Sequence, residues 1–464
     1  MNLELITISD QQAHLVERIA EGQFSEVKAK EISPGKLTKT ITAFANTDGG
    51  DLYVGVHEEI LGGGIKKRHW DGFKDMEAAN GHLQTFERLF PLGTGFQYEF
   101  LKCDKRPGIV LHAQVSRTQA ITKADDGIAY IRRGAASYPI TTADQLRRLE
   151  YAKGVISFET ELVNVPKVEI TDSPITKKFL DYVVPSAEPE AWLHKQRLIR
   201  EERPTVAGVL LFSEEPQAAM PKRCGVKIYR YKTKEAEGFR DVLAEDPKTI
   251  EGSINDQIRV AVAKTIEITE NIPKMGVGGF EKIQYPKETL HEIITNAIIH
   301  RDYSIADDVH IRIFDNRIEV QSPGRLPAHV TVKRILQERF ARNGAIVRLL
   351  NKFPDPPNKD VGEGLNTAFA KMHEIGLKDP EIEEKDSDVL VIIRHEPLAS
   401  PEEAIMKYLE THESIKNKQA REIANVKMDY QMKSIFGRME TAGLIEQVPG
   451  TRTSNTAYRK KAPN

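Results

Sequence analysis

Glu21, Glu26, Lys28 and an acid just after the apolar run Leu52–Val56, either Glu58 or Glu59, have the types and spacing to act on a phosphodiester. In the alternating stretch from Phe24 to Lys30, Glu26, Lys28 and Lys30 fall on one strand face, with Ser25, Val27 and Ala29 on the other. If that strand pairs with Leu52–Val56, Glu58 can approach the same face. Carboxylates supply hard oxygen ligands that suit Mg2+ or Mn2+. A metal held there activates water and stabilises charge developing on the phosphodiester, while Lys28 offsets more of that charge. The plainer alternative, favoured on spacing alone, is a solvated strand face on which Glu and Lys alternate.

A second constellation is Glu292, Asn296 and His300, at i, i+4 and i+8 in EIITNAIIHRDY, which is one stripe of a helix. Ile293, Ile294 and Ala297 mark the buried face. Such a stripe could orient water and Mg2+ against triphosphate oxygens. It could equally be a partly solvated helix with a histidine near its C-terminus, where the dipole favours it. Two basic segments complete the candidates. Lys66, Lys67, Arg68, His69 and Trp70 read as a loop for phosphate contact and base stacking, or as a plain surface loop. Residues 427–464 hold seven Lys/Arg against three acids. There Tyr430, Gln431, Lys433, Ser434 and Arg438 could lie on a helix that enters a major groove, with Arg452 in a following β-wing. Oligomerisation is the alternative role for that end of the chain.

The elements that must position these residues are legible as an α/β (α+β) multidomain pattern. The 464 residues suggest about three domains. Leu15 and Ile19 lie in a helix ending near Glu21-Gly22, and Leu37, Ile41 and Phe44 in a second, stopped by Asn46-Thr47-Asp48-Gly49-Gly50. Ile109–Val115 and Ala129–Arg132 read as strands, and Ala143–Tyr151 as a helix closing a domain over 1–152. Prolines spread across 153–200 indicate a connector with one or two short helices. A middle domain over 201–398 follows, with a buried strand at Val206–Phe212 (VAGVLLF), helices at 251–271 and 287–300, a hairpin at Val309–Phe314 and Arg317–Gln321, and a last strand at Val389–Arg394. Over 399–464, three short helices and two strands give a winged helix-turn-helix pattern.

Composition narrows the class. A formal charge of −2 excludes a globally basic nucleic-acid coat, and 40% hydrophobic residues exclude a disordered chain. No apolar run approaches the roughly 18 residues of a membrane helix. The acidic, amphipathic start is neither a signal nor a transit peptide, and Cys103 and Cys224 form no disulfide framework or zinc knuckle. The expectation is a cytoplasmic protein without membrane contact.

EGQFSEVKAK followed by ITAFANTDGGDLYVGVHE, and later AYIRRGAAS, resembles the Schlafen/AlbA-type domain. The resemblance covers roughly residues 10–150 and implies nucleic-acid binding. It also implies, as in Schlafen nucleases, a metal-dependent endoribonuclease site on Glu21, Glu26 and Glu58 with Lys28 beside them, and nucleic-acid contacts through Arg132 and Arg133. Gly22 stands where serine is usual, and Glu58 where aspartate is usual. VAGVLLF, NAIIHRDY, FDNRIEVQSPGRLP, ARNGAI and VGEGL resemble the C-terminal ATPase-like domain of RecG-type helicase relatives, distant kin of the gyrase and histidine-kinase (GHKL) ATP fold. That resemblance implies ATP and Mg2+ contacts from Glu292, Asn296, His300 and the glycines Gly362 and Gly364. The adenine-binding aspartate is replaced near Gln321, which implies weak or absent turnover, and no Walker A motif supports a helicase motor.

The readings that follow are a nucleic-acid-binding, RNA-directed nuclease controlled by an ATP-binding domain, serving antiviral defence, or a DNA-binding transcriptional regulator without catalysis. A third is an ATP-dependent remodelling partner in a larger assembly, against which the altered adenine turn weighs. A homo-oligomer is expected.

Overall fold

A computed structural model describes residues 5–60, 66–91, 93–276, 279–282, 284–327, 330–338, 340–357, 364–395, 401–424, 426, 428–449 and 456–461. Gly362, Arg452 and the side chain of Lys66 lie outside this set. The chain is a mixed α/β protein with several sheets. Residues 1–368 with 381–392 form one compact unit, and 369–380 with 393–464 form a second.

The first unit opens with β1 (Leu5–Thr7), α1 (Asp10–Glu17), β2 (Ser25–Lys28), α2 (Pro34–Asn46), β3 (Gly50–Val54), β4 (Val56–Ile60) and β5 (Lys66–Trp70). There follow α3 (Asn80–Leu89), β6 (Phe96–Lys102), β7 (Ile109–Val115), β8 (Ala129–Arg133), β9 (Ala136–Ile140) and α4 (Ala143–Lys153). A Ser9–Gln12 capping box starts α1, and Pro34 starts α2. One sheet runs β1-β6-β7-β3-β2, with β2 parallel to β3 so that Glu26 is level with Leu52. Leu37, Ile41 and Phe44 of α2 bury against it together with Phe86, Phe96, Phe100 and Leu111. The turn after α2 requires glycine: Gly49 has φ +78°, and a Cβ there would lie 2.6 Å from Val115 O. The hairpins β4-β5 and β8-β9 stand apart from the main sheet.

The unit continues with α5 (Val168–Thr171), α6 (Pro174–Val183), α7 (Pro189–Lys195), β10 (Ile199–Arg200), β11 (Arg203–Pro204), α8 (Val206–Phe212), α9 (Pro216–Ala219), β12 (Val226–Arg230), β13 (Lys248–Ile250) and α10 (Ile254–Glu270). Then come β14 (Pro273–Gly276), β15 (Gly279–Lys282), α11 (Lys287–Ile299), β16 (Val309–Ile313), β17 (Arg317–Pro323), α12 (Gly344–Leu350), α13 (Gly364–Glu374, counted with the second unit from residue 369), β18 (Glu381–Glu384) and β19 (Asp388–Arg394, counted with the second unit from residue 393). The sheet order is β13-β12-β16-β17-β19-β18. Val206–Phe212, expected as a strand, is the helix α8. Thr205 caps it, its hydroxyl accepting from the Gly208 N–H at 3.2 Å, and every residue is buried. A segment apolar on all sides has no period to separate strand from helix, so the cap decides.

The second unit holds α14 (Pro401–Tyr408), β20 (Ile415–Lys416), α15 (Asn417–Ile423), α16 (Asp429–Thr441), β21 (Ile445–Gln447) and β22 (Ala457–Lys460). Its three strands run β20-β22-β21, antiparallel throughout. Ile405, Ile415, Met432, Phe436, Met439 and Ile445 form its core. Among the described residues no helix is long and apolar enough to cross a membrane.

Candidate functional site

The structure draws Glu21, Glu26, Lys28 and Glu58 into one ion-pair network. Lys28 on β2 pairs with Glu26 and, at 3.0 Å, with Glu21 Oε1. Burial opposes the charge on Lys28, but the Glu26 and Glu21 carboxylates outweigh it and hold the ammonium above its ordinary range. Arg68 on β5 meets Glu58 Oε2 at 2.7 Å and lies 3.9 Å from Glu21 Oε2. The register of the hairpin sets this contact, because Glu58 faces Arg68 across the strands. Glu59 is exposed, leaving Glu58 as the acid that reaches the cluster. Glu26 is only 5% exposed, so the solvated strand face is not what forms. Its partner on the far side is Arg132, which also donates to Gly22 O at 3.0 and 2.9 Å.

The donor chemistry suits a hard divalent cation, yet each of the three carboxylates is already paired with a basic side chain. Among the described residues no three His, Cys, Asp or Glu side chains form a group that could hold a metal. In this arrangement the cluster is an ion-pair network rather than a ligand set.

Three of the residues expected to contact nucleic acid are engaged within the protein. Arg132 is 2% exposed and spent on Glu26 and the backbone of the 22–25 turn, so it positions Glu26 and cannot reach a phosphate. Lys66–Trp70 is a strand, not a loop; Arg68 is committed to Glu58, and Trp70 is buried among Val27, Val56 and Leu101 instead of stacking on bases. Lys67 and Arg133 are exposed. On α16, Met432, Ile435, Phe436 and Met439 are buried, while Tyr430, Gln431, Lys433, Ser434 and Arg438 are exposed. Lys433 pairs there with Asp429 at 2.7 Å, and Arg438 with Glu402 at 2.6 Å.

The second constellation opens on a cavity of about 1100 Å3. Glu292 and Asn296 of α11, His300 at its C-terminal cap, Ser322 near the end of β17, Gly324 to Pro327 beyond it, and Gly364 to Thr367 at the start of α13 contribute to its wall. Leu290, Ile294 and Ile298 fix α11 from its buried side. Asn296 Nδ2 donates to Glu292 Oε1 at 2.8 Å. Burial raises the Glu292 carboxyl, against the opposing effect of that bond. Gly364 lies tight against this pair: a Cβ there would fall 1.8 Å from Glu292 Oε1, so a larger residue must displace the Glu292 carboxyl. Burial, helped by the charge of Arg342, lowers His300 to about 4, so its ring is neutral at pH 7. Its Nδ1 has no hydrogen-bond partner among the described residues. Ser322 Oγ is spent on Ala297 O at 2.7 Å.

Several supporting residues were not singled out from the sequence. Arg342 pairs with buried Asp302 at 3.0 Å, and Asn343 donates to Ile299 O and Arg301 O at 2.8 and 2.9 Å, which latches the end of α11. The motifs HRDY and ARNG carry these residues, but nothing local says that they meet. Lys153, 2% exposed, donates to Ala45 O at 2.9 Å and is lowered to about 7 by burial and by Arg117.

Residues 21–141 match the family model "Schlafen, AlbA_2", and residues 306–393 match "Putative ATP-dependent DNA helicase recG C-terminal". The chain therefore carries a Schlafen/AlbA domain followed by a RecG-like ATPase-like domain, and these domain types point to a nucleic-acid-binding protein. Among solved structures, the DIP2311 protein from Corynebacterium diphtheriae is 16% identical, with 94% of this chain and 92% of that one covered at a TM-score of 0.42. The N-terminal domain of a "Putative ATP-dependent DNA Helicase RecG-related Protein" from Nitrosomonas europaea is 17% identical, covering 29% of this chain and 89% of that one at a TM-score of 0.21. At these TM-scores neither alignment carries functional information. No curated protein matches.

Proposed function

We propose that the protein binds nucleic acid under the control of a nucleoside triphosphate held in the cavity beside α11. The observation that carries this reading is the Glu292–Asn296 pair on the wall of that cavity, closed by Gly364 at contact distance and accompanied by a neutral His300 with an unspent nitrogen. Polar groups enclosed without protein partners are costly unless a ligand or water satisfies them. Asn296 and Glu292 would hold Mg2+ and water against the phosphates, and His300 would hydrogen-bond the ligand without adding charge. Turnover is weak or absent in this reading, as the replaced aspartate of the adenine turn implies; the hydroxyl there, Ser322 Oγ, is turned to Ala297 O. Nucleic-acid contacts fall to exposed Lys67 and Arg133, and to the outer face of α16 if the second unit acts as a winged helix. A panel of Mg-nucleotides in thermal melts tests the reading. Binding to the native state alone raises the midpoint with concentration; no shift with any nucleotide at millimolar concentration contradicts it.

A second reading, metal-dependent RNA cleavage, is favoured by the meeting of Glu21, Glu26 and Glu58 around Lys28 and Arg68. A divalent ion would have to replace one of those cations. Mn2+-dependent cleavage of labelled RNA that disappears in Glu58→Gln supports it; equal rates in the parent and the variant exclude Glu58 as a ligand.

A further inference from the structure

Arg325 stands between the cavity and the acid cluster. It lines the cavity with Ser322, Gly324, Leu326 and Pro327, yet its guanidinium is turned to Asp48 and to Glu384 Oε1, the latter at 3.0 Å. Glu384 Oε1 also accepts from the Leu326 N–H at 3.1 Å and pairs with Arg117 at 2.9 Å, and Arg117 donates to Leu326 O at 2.6 Å. This part of the cavity wall is therefore tied to charged side chains outside it. On the other side, Asp48 accepts a 2.6 Å bond from Gln23 Nε2, and Gln23 Oε1 takes the Gly134 N–H at 2.8 Å. Gln23 Nε2 also reaches Arg132 O at 3.3 Å, and Arg132 holds Glu26. An unbroken run of hydrogen bonds thus links the cavity wall to the acid cluster.

We propose that Arg325 is an arm with two positions: in one it holds Asp48 and Glu384, as here, and in the other it meets a polyphosphate in the cavity, which weakens nucleic-acid binding at the N-terminal domain. The inference rests on the reading of the cavity as a nucleotide site. Lys287 and Arg325 are the only Lys or Arg lining the cavity among the described residues. A guanidinium fork matches carboxylate and phosphate alike, so the two sets of oxygens compete for the same donors. Once Arg325 leaves, Asp48 presents an uncompensated negative charge beside Gln23 and the Arg132–Glu26 pair. That charge disfavours an approaching phosphate backbone. A ligand moves such an equilibrium only through its differential affinity for the two positions. The coupling is reciprocal, so bound nucleic acid weakens nucleotide binding by the same factor.

The test measures affinity of the full chain for a labelled single-stranded RNA, and for DNA of the same sequence, with and without saturating Mg-ATP. Calorimetry on the same preparations reads Mg-ATP binding directly. In the parent, Mg-ATP should weaken nucleic-acid affinity about fivefold or more, the lower end of ordinary allosteric coupling. Asp48→Asn changes a residue outside the cavity and leaves Arg325 one carboxylate fewer to abandon. Nucleotide should bind it at least as tightly as the parent, and the weakening should disappear. Glu384→Gln, the second variant should the first not fold, also leaves Arg325 one carboxylate fewer to abandon while Asp48 keeps its charge, so Mg-ATP should bind it more tightly than the parent and the weakening should persist. Bound nucleotide with unchanged or tighter nucleic-acid affinity in the parent, full weakening in a folded Asp48→Asn, or Mg-ATP bound no more tightly by Glu384→Gln than by the parent, would overturn the arm. Absence of Mg-ATP binding to the parent would instead overturn the nucleotide reading and the arm with it; absence of binding to either nucleic acid would overturn the N-terminal reading and the arm. Calorimetry and the nucleic-acid titration tell these failures apart.

Discussion

The cluster around Glu26 and the cavity around Glu292 each centre on a glutamate held by a regular element, but they use it differently. Every carboxylate of the cluster meets a cation, and Glu26 is enclosed between Lys28 and Arg132. Glu292 meets the neutral amide of Asn296, with no ion pair among the described residues, and His300 keeps a free nitrogen. Charges that satisfy one another hold the fold in place. Glu292 and Asn296, whose side chains bond only to each other among the described residues, keep hydrogen-bonding capacity for a ligand on a cavity wall. On the proposed function, the first region meets a structural demand and the second receives the ligand.

The sharpest way to break the contrast is to neutralise one glutamate in each region. Glu26→Gln leaves Arg132 buried with an uncompensated charge, and losing one partner of such a pair costs about 3 kcal/mol. Glu292→Gln keeps an amide partner and removes a carboxyl that burial already disfavours, so its cost should stay below about 1 kcal/mol. Urea unfolding of both variants reads the difference; equal losses would erase the distinction.

Lys153 extends the structural side to pH. Its amine is lowered to about 7 from an ordinary 10.5, so between those pH values the unfolded chain holds a proton that the native chain lacks. Its contribution therefore makes stability rise with pH, by up to about 1.4 kcal/mol per unit; the gain is complete above the ordinary value and is lost as pH falls through the native one. Lys153→Met should remove that slope from the parent-minus-variant difference in unfolding free energy, and an unchanged slope would show that Lys153 stays charged.

On the binding side, Gly364→Ala pushes Glu292 away from Asn296 by bringing a methyl to within 1.8 Å of its oxygen. Because the obstructed atom is the end of a side chain, stability should change little, while Mg-ATP affinity falls about tenfold, equivalent to ~1.4 kcal/mol. A large loss of stability with unchanged affinity would reverse the assignment. The smallest effect is expected on α16. Lys433→Ala removes one exposed cation already shared with Asp429, and should reduce the salt slope of DNA binding by no more than about 0.9 log unit per log unit.

Features carried by local spacing were legible in the sequence. The stripe Glu292, Asn296 and His300 follows from helical periodicity, and the hairpin of β16 and β17 from alternation around Asp315-Asn316. The acidic residues near β2 were legible as types, but their state was not. Arg132 is buried beside Glu26 although 106 residues separate them, and the Arg325–Asp48 pair spans 277 residues. Pairings at such separations depend on how α2 and the β8-β9 hairpin settle against the sheet, which no local pattern encodes. The Lys66–Trp70 stretch reads as a basic loop because its charges hide the strand. Only pairing with Val56–Ile60 reveals it.

The most direct test of the account is calorimetric titration of Mg-ATP into the full chain and into Asn296→Ala. Asn296 touches Glu292 on the cavity wall and makes no ion pair among the described residues, so its removal tests the site without disturbing a charge network. Saturable binding to the parent is expected, with binding at least about tenfold weaker to a variant that melts like the parent. No binding to the parent, or equal binding to both, would contradict it.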